Sequence, residues 1–419
     1  EFSCHRRERS HVVGVTDTPT SPRTDARTVA VALLRATLRR GQPLDEALAD
    51  HAGFAALEPR DRAFARLLAA TALRRLGQID SLIAGCLDRG LPEGATPVED
   101  VLRIGAAQLA FFGTPAHAAV DRTVALVTGR RIGRYRALVN AVMRRLAREA
   151  ADLVAEHDAA RLNTPDWLWR AWSETHGEDT CRRIAECHLG EAPLDITVKG
   201  DPAECAAKLE AELLPGGTLR RKAGGRIEDL PGYEAGEWWI QDAAAALPAR
   251  VLIAAFPDGV AGRDIADLCA APGGKTAQLA AAGARVSAVE SSPTRIGRLR
   301  ENLARLGLDA SLVVADAATW RPEERFDAVL LDAPCSGTGT IRRHPDIARL
   351  KSPEEVGRLA ERQDGLLAAA GELVAPGGVL VYAVCSLQRE EGCARIDMFL
   401  DSDAPFDRQP ITADEIGGW

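Results

Sequence analysis

From residue 263 onward, short apolar runs alternate with longer runs that carry apolar residues at helical spacing. Strands that alternate with helices in this way predict a mostly parallel sheet with helices on both faces. In such a sheet the ligand binds beyond the carboxyl ends of the strands. The predicted strands are 264–268, 285–289, 311–314, 328–331 and 379–384, and the predicted helices are 275–282, 294–306 and 353–373.

The preceding part of the chain has two other patterns. Residues 25–150 are dominated by Ala, Leu and Arg, with Gly-Pro breaks between runs of helical period, which predicts an all-α bundle of six or seven short helices. Residues 151–240 are mixed, with a predicted strand at 194–198 and a predicted helix at 203–214, and we interpret them as a small α/β linker domain with its tryptophans in the core. The predicted domains are 25–150, 151–240 and 241–419, after a disordered extension at 1–24.

Composition excludes several classes of protein. No apolar run approaches 18 residues and the first 20 residues contain no apolar segment, so we expect neither a membrane span nor a secretory signal. The nine cysteines are scattered without a C-x-x-C pair, which argues against a zinc site and against a disulfide scaffold. We therefore expect a cytoplasmic protein with free thiols and no metal.

Charge is unevenly distributed along the chain. The net charge is −8, yet residues 21–150 hold 20 Lys and Arg against 13 Asp and Glu. The segment 130–148 carries seven arginines and no acid. It is either a solvated helix face or a phosphate-binding face, since guanidinium groups suit bidentate contacts to phosphate. The candidate RNA-binding residues are Arg130, Arg131, Arg134, Arg144 and Arg145.

A cofactor loop is predicted at D-L-C-A-A-P-G-G-K-T (267–276), between the first strand and a helix. Its small residues allow a ligand to approach the backbone, and the helix N-terminus favours an anionic group. The first glycine of an ATPase P-loop is absent, and the dinucleotide pattern G-x-G-x-x-G is absent too. Glu290 ends the next strand and Asp316 is predicted to end the third, where carboxylates can accept from ribose hydroxyls and an adenine amino group. The loop and these acids together indicate a nucleoside cofactor.

Two cysteines are predicted at neighbouring strand tips. Cys335 follows the fourth strand in L-D-A-P-C, Cys385 follows the fifth, and Asp332 is expected to face the same pocket. A thiolate can add to C6 of a pyrimidine, which makes C5 nucleophilic enough to accept a methyl group from S-adenosylmethionine. The base must leave its stack to be reached. An amine methylase would need no thiol.

These motifs resemble a known family. D-L-C-A-A-P-G-G-K-T, L-D-A-P-C-S-G-T-G-T-I-R-R-H-P-D-I and V-Y-A-V-C-S-L are similar to the signature segments of the RsmB/Sun family of RNA cytosine-C5 methyltransferases. Segments at 61–66, 115–121 and 138–142 resemble the NusB-like RNA-binding domain that precedes the catalytic domain in its bacterial 16S rRNA branch. The resemblance implies a Rossmann-like class I methyltransferase domain preceded by an all-α NusB-like bundle, acting on 16S rRNA. We expect the protein to be a monomer. Against the family pattern, Val384 replaces the usual Thr, and the chain lacks the final hairpin, so we expect a C-terminally truncated domain.

The resemblance also assigns roles. It implies Cys385 as the nucleophile, Cys335 as the group that assists product release, and Asp332 as the contact to N3 of the base. DNA cytosine methylases instead use the Pro-Cys thiol, which keeps Cys335 as the alternative nucleophile. Other open alternatives are a different RNA such as tRNA, and a non-catalytic RNA-binding or assembly factor. The implied S-adenosylmethionine contacts are Cys269, Ala270, Ala271, Pro272, Gly273, Gly274 and Lys275 in the loop, with Glu290 on the ribose, Asp316 on the adenine and Asp332 beside the base.

Overall fold

The computed structural model describes residues 25–92, 94–222 and 224–418. The extension predicted at 1–24 lies outside the described residues. Along the described chain, three regions follow one another: a helical bundle, a small antiparallel sheet with its helices, and a five-stranded parallel sheet with its helices. This order confirms the predicted fold class.

The helical bundle begins at Ala26 and has one continuous apolar core. Local signals set several helix ends: α1 stops at Gly41, which takes the left-handed conformation (φ 69°), and α4 starts with Pro59 at its first turn. Nine helices replace the predicted six or seven within the described part of this region, because two of them are single turns. They are α1 (Ala26–Arg40), α2 (Leu44–Asp50), α3 (Ala52–Ala55), α4 (Pro59–Arg74), α5 (Leu76–Gly85), α6 (Thr96–Phe111), α7 (Ala116–Ala125), α8 (Gly129–Ile132) and α9 (Arg136–Glu156).

The region that follows is α/β, as predicted, and its sheet has the antiparallel order β2-β3-β1-β4. The helix predicted at 203–214 is wrong at its end. Glu210 takes a left-handed conformation (φ 50°), so the helix stops at Leu209. Glu212 and Leu213 then pair with β3. Trp172 and Trp238 are fully buried, as expected for core residues. The elements are α10 (Ala159–Asn163), α11 (Asp166–His176), α12 (Glu178–His188), β1 (Leu194–Val198), α13 (Pro202–Leu209), β2 (Glu212–Leu213), β3 (Leu219–Arg221) and β4 (Trp238–Ile240).

The last region holds the parallel sheet, with order β7-β6-β5-β8-β9. All four strand pairs are parallel, so the carboxyl ends of β5, β6, β8 and β9 lie at one edge, where the predicted site residues are. Among the described residues, β9 is paired on one side only. The elements are α14 (Ala243–Ala254), β5 (Asp264–Leu268), α15 (Gly274–Ala281), β6 (Arg285–Glu290), α16 (Pro293–Leu306), β7 (Ser311–Val314), β8 (Phe326–Asp332), α17 (Ile347–Leu350), α18 (Pro353–Leu373), β9 (Val374–Ala383) and α19 (Cys393–Asp401).

The segment after β8 joins the three regions. The Leu44 amide, at the start of α2, donates to Asp346 Oδ2 at 3.0 Å, and Arg349 Nη2 donates to the Asn163 carbonyl at 2.8 Å. Ile341 and Ala348 pack into one apolar cluster with Trp172 of α11 and Cys181 of α12. Residues 341–350, which we call the junction segment, are therefore held by hydrogen bonds to backbone groups of the bundle and the linker region, and by apolar packing against the linker region.

The bundle and the linker region also approach each other directly. A Cβ added to Gly77 of α5 would lie 1.7 Å from the Leu162 carbonyl oxygen of α10, so only glycine fits there. The boundary predicted at residue 150 falls inside α9, and the division of the chain into 25–150, 151–240 and 241–419 stays a prediction. Over the residues that the structure describes, no helix has the length and apolar character needed to cross a membrane.

Candidate active site

The predicted cofactor loop lies between β5 and α15, at the middle of the parallel sheet. Cys269 has a positive φ of 61°, and the Ala270 amide donates to the Val289 carbonyl of the neighbouring strand at 3.0 Å. The Ala271–Pro272 peptide is cis. Gly273 has φ 103° and approaches α16 so closely that a Cβ would lie 3.0 Å from Leu299 Cγ. The chain thus turns tightly and presents backbone rather than side chains before α15 begins.

Two buried carboxylates flank this loop. Asp267 is fully buried, its Oδ2 accepts from Thr276 Oγ1 at 2.5 Å, and its Oδ1 has no partner among the described residues. Burial raises the pKa of Asp267 to about 7. Glu290 is 2% exposed, and its Oε1 accepts from the Ser292 amide at 3.0 Å. Arg295 Nη1 lies 3.2 Å from Glu290 Oε2 without hydrogen-bond geometry, so this oxygen keeps its accepting capacity.

Asp316 lies two residues beyond the end of β7 rather than at its tip, which corrects the predicted position. Its side chain is exposed, and its Oδ1 accepts from the Ala318 amide at 3.0 Å, so the carboxylate is oriented by the turn that it caps. The Ala315 amide donates to the Glu290 carbonyl at 3.3 Å, which keeps the two acid-bearing strand ends adjacent.

These observations fit a nucleoside cofactor carrying a positive charge. The positive φ of Gly273 permits the tight turn, and the small residues of the loop allow a ligand to approach its backbone. Buried carboxylate oxygens without donors, one on Asp267 and one on Glu290, are costly unless a ligand supplies donors to them. S-adenosylmethionine offers ribose hydroxyls and an ammonium group, so its chemistry matches this pocket.

The two predicted cysteines meet beyond the tips of β8 and β9. Their Sγ atoms are 3.3 Å apart, with Cys385 exposed and Cys335 half-buried. The hydrogen bond from the Cys335 thiol lowers the pKa of Cys385, while that bond and burial raise the pKa of Cys335. The exposed Cys385 is therefore the thiol that ionises more readily, and Cys335 is the one that retains its proton.

The charged pair Lys275–Asp332 lies beside the two sulfurs. Lys275 Nζ, at the start of α15, donates to Asp332 Oδ2, at the end of β8, at 2.6 Å. The positive charge of Lys275 favours the Cys385 thiolate, whereas Asp332 opposes it. By contrast, burial and the neighbouring acids raise the pKa of Cys269 to about 12, so this thiol is inert packing. The structure thus brings Cys335, Cys385, Asp332 and the cofactor loop to one edge of the sheet.

A buried polar network under the thiols was not predicted from the sequence. Glu391 is fully buried and accepts from the Ser336 amide at 2.8 Å and from Gln363 Nε2 at 3.2 Å. Ser336 Oγ lies 3.1 Å from Ser386 Oγ. No motif marks these residues, although Ser336 and Ser386 each follow one of the two cysteines.

The predicted RNA-binding arginines lie on the bundle, on α8, the turn after it and α9. Arg130, Arg131 and Arg144 are exposed, and Arg134 donates to Tyr135 Oη at 2.8 Å while stacking on its ring. Arg145 is not free, because its Nε donates to Glu149 at 2.9 Å. Among the described residues, no group of three His, Cys, Asp or Glu side chains has metal-binding geometry, and the eight described cysteines are free thiols.

Family models match both ends of the chain. The model described as 16S rRNA methyltransferase RsmB/F matches residues 258–418, and the NusB family model matches residues 24–148. Among solved structures, one titled PH0851 superposes with a TM-score of 0.69 at 22% identity, covering 93% of this chain and 92% of that one. The structure of NSun6 from Pyrococcus horikoshii superposes with a TM-score of 0.51 at 19% identity, covering 59% and 90%. At these identities the superpositions show a shared fold.

Curated relatives match nearly the whole chain. The ribosomal RNA small subunit methyltransferase B of Vibrio cholerae is 35% identical over 396 residues, which cover 90% of this chain and 89% of the relative. The protein of the same name from Vibrio vulnificus is 33% identical, covering 90% and 91%. At this identity and coverage, the chain belongs to the ribosomal RNA small subunit methyltransferase B family.

Proposed function

We propose that this protein transfers a methyl group from S-adenosylmethionine to C5 of a cytosine in 16S rRNA, through a covalent bond between Cys385 and C6 of the base. The observation that carries the proposal is the pair of thiols, with the exposed Cys385 Sγ lying 3.3 Å from the Cys335 Sγ, within hydrogen-bond distance. A methyltransferase that alkylates a nitrogen or oxygen needs no such nucleophile. The membership in an rRNA methyltransferase family supports 16S rRNA as the substrate.

The position of the cofactor pocket determines from which side the cytosine meets the methyl group. When bound, S-adenosylmethionine supplies an electrophilic methyl group. Glu290 would accept hydrogen bonds from the ribose hydroxyls, and Asp316 would contact the adenine. The turn from Cys269 to Lys275 would pack against the remainder of the cofactor. Because β5 lies between β6 and β8, this pocket borders the strand tip that carries Asp332. The cytosine has to leave its stack to enter between the pocket and the thiols.

The residues then act in sequence on the base. The Cys385 thiolate forms a bond to C6, and the displaced electron pair is stabilised when N3 takes a proton from the Lys275–Asp332 pair, whose members lie 2.6 Å apart. C5 thereby becomes nucleophilic and accepts the methyl group. Loss of the C5 proton to a base forms the C5–C6 double bond and expels the Cys385 thiolate from C6. N3 then returns its proton to the Lys275–Asp332 pair, which leaves the neutral aromatic 5-methylcytosine. Cys335, the neighbouring sulfur, assists this release.

The two thiols are distinguished by trapping. Each is changed to Ala, and the protein is incubated with S-adenosylmethionine and 16S rRNA, followed by a denaturing gel for covalent adducts and bisulfite mapping for 5-methylcytosine. We expect Cys385→Ala to lose both turnover and adduct, and Cys335→Ala to accumulate adduct because release is slowed. Adduct formation by Cys385→Ala but not by Cys335→Ala would reverse the assignment.

The same mapping separates the remaining alternatives. Methylation of tRNA in preference to 16S rRNA would replace the substrate while keeping the chemistry. Stoichiometric RNA binding without transfer of a labelled methyl group would make the protein a binding or assembly factor. For RNA contact we propose the exposed arginines Arg130, Arg131, Arg134 and Arg144, with Arg145 contributing less because it is paired with Glu149.

A further inference from the structure

Glu391 forms a hydrogen bond with the backbone of Ser336, the residue that follows Cys335. Its Oε1 accepts from the Ser336 amide at 2.8 Å, and its Oε2 accepts from the hydroxyl of the same residue. Its exposed fraction is 0%, although it lies in the segment that follows the solvent-exposed Cys385. A buried carboxylate is retained only where hydrogen bonds compensate for its lost hydration.

The residue on the other side of Cys335 is held by the same network. Gln363 of α18 donates from Nε2 both to the Pro334 carbonyl at 2.9 Å and to Glu391 Oε1 at 3.2 Å. Tyr382 Oη donates to the Glu391 carbonyl at 2.6 Å. Pro334 and Ser336, the two neighbours of Cys335, are thus each fixed by a hydrogen bond to this buried group of side chains.

The network continues to the second thiol. Ser336 Oγ lies 3.1 Å from Ser386 Oγ, and the Gly339 amide donates to the Cys385 carbonyl at 3.0 Å. The loops that follow β8 and β9 are therefore connected at the residues that flank each sulfur. The separation of 3.3 Å between the sulfurs follows from these contacts, because each cysteine side chain is short and its backbone is held.

We propose that Glu391 is the positioning residue of the thiol pair: by holding Ser336, it keeps Cys335 behind Cys385 and makes Cys385 the sulfur that reaches the substrate. The inference rests on the proposed function, and it adds a residue that contacts neither cofactor nor base. The negative charge of Glu391 also adds to the hydrogen bond and the burial that raise the pKa of Cys335. Other charged groups near the pair are Lys275 and Asp332 on the cofactor side and the Arg395–Asp364 pair behind Tyr382.

The test compares Glu391→Gln with Glu390→Gln, a matched control because Glu390 is the exposed neighbour. Each full-length protein is treated with iodoacetamide across pH 6–9, and alkylation of the two cysteines is followed separately by peptide mass spectrometry. In the parent protein and in Glu390→Gln, we expect Cys385 to react first, with a midpoint below that of an ordinary thiol. In Glu391→Gln, we expect this preference to fall by about 10-fold or more and the Cys385 midpoint to rise, since one pKa unit corresponds to a 10-fold change.

Methyl transfer gives the second measurement. A shift of the reacting groups by about 1 Å costs about 100-fold in rate. We therefore expect Glu391→Gln to lower kcat by that factor with little change in KM for RNA or for S-adenosylmethionine. An unchanged ratio of the Cys385 and Cys335 alkylation rates in a folded Glu391→Gln protein overturns the proposal. Should this variant fail to fold, Ser336→Ala, which removes one hydrogen bond to the carboxylate, decides by the same measurement.

The alkylation experiment needs neither RNA nor turnover. If the protein transfers no methyl group to cytosine, the proposed function fails, yet the order of alkylation still reports whether Glu391 sets the two thiols apart. If transfer occurs and the ratio of the two alkylation rates is the same in Glu391→Gln as in the parent protein, the positioning role fails alone.

Discussion

The buried Asp267 makes a prediction about stability against pH. Burial raises its pKa from 3.8 to about 7, a difference of about 3 units, and each unit corresponds to about 1.4 kcal/mol. Because the folded state binds this proton more tightly than the unfolded state, the contribution to the free energy of unfolding is fully present below pH 3.8. It is lost as the pH rises towards and through 7. The full loss is about 4 kcal/mol, of which about 2–3 kcal/mol falls between pH 5 and 8.

The perturbation is Asp267→Asn, which removes the titration while keeping the shape. Urea unfolding of both proteins, followed by tryptophan fluorescence at pH 5, 6, 7 and 8, gives the difference in the free energy of unfolding at each pH. We expect the variant to gain about 2–3 kcal/mol on the parent protein across this range. Asp264→Asn is the matched control on the same strand: the hydrogen bonds from Arg285 lower the pKa of Asp264, so the parent's advantage over this variant should shrink as the pH falls. A difference between Asp267→Asn and parent that stays flat, or that changes in the opposite direction, would refute the reasoning.

Three further predictions concern other parts of the molecule. Gly77→Ala should lower the free energy of unfolding by about 3 kcal/mol through the clash with the backbone of α10, whereas Gly85→Ala in the same helix, with open space around it, should raise it by up to about 1 kcal/mol; chemical denaturation measures both. Replacing Arg130 and Arg131 together by Ala should weaken RNA binding and reduce the slope of log affinity against log salt by about 1.5 to 2, and an unchanged slope in a filter-binding titration would remove these residues from the RNA surface. Asp346→Ala should cost about 1–3 kcal/mol, because it leaves the buried amide at the start of α2 without an acceptor, and hydrogen exchange at that amide should rise.

Local signals were sufficient for most of the fold. The strands 194–198 and 311–314 and the helix 353–373 agree with the structure residue by residue, because turn formers and a clear period bound each of them. The helix at 203–214 was predicted too long, since nothing local shows that Glu210 adopts a left-handed conformation and that Glu212 and Leu213 pair with a later strand. Long-range pairing decided that element.

The candidate site also has a part that the sequence predicts and a part that it does not. Strand tips are predictable from period and polarity, which is why Cys335, Cys385 and Asp332 were placed at one edge. The supporting group around Glu391 was not predictable, because its members come from three separate segments and carry no spacing pattern. The ion pair of Arg145 could have been predicted from the sequence. Arg145 and Glu149 are four residues apart on a helix, a spacing at which opposite charges pair.

The junction segment has a consequence for how the chain can be divided. Downstream of Cys335, the junction segment (341–350) is anchored by groups that belong to the neighbouring regions rather than to the sheet. An excised fragment beginning near residue 241 would retain every group that we assign to chemistry, yet it would expose Ile341 and Ala348 to water and release the tether of the loop. The linker region and the bundle therefore help to hold the loop that follows Cys335, and an engineer who wished to graft the proposed chemistry onto another RNA-binding module would have to transfer this anchoring surface as well.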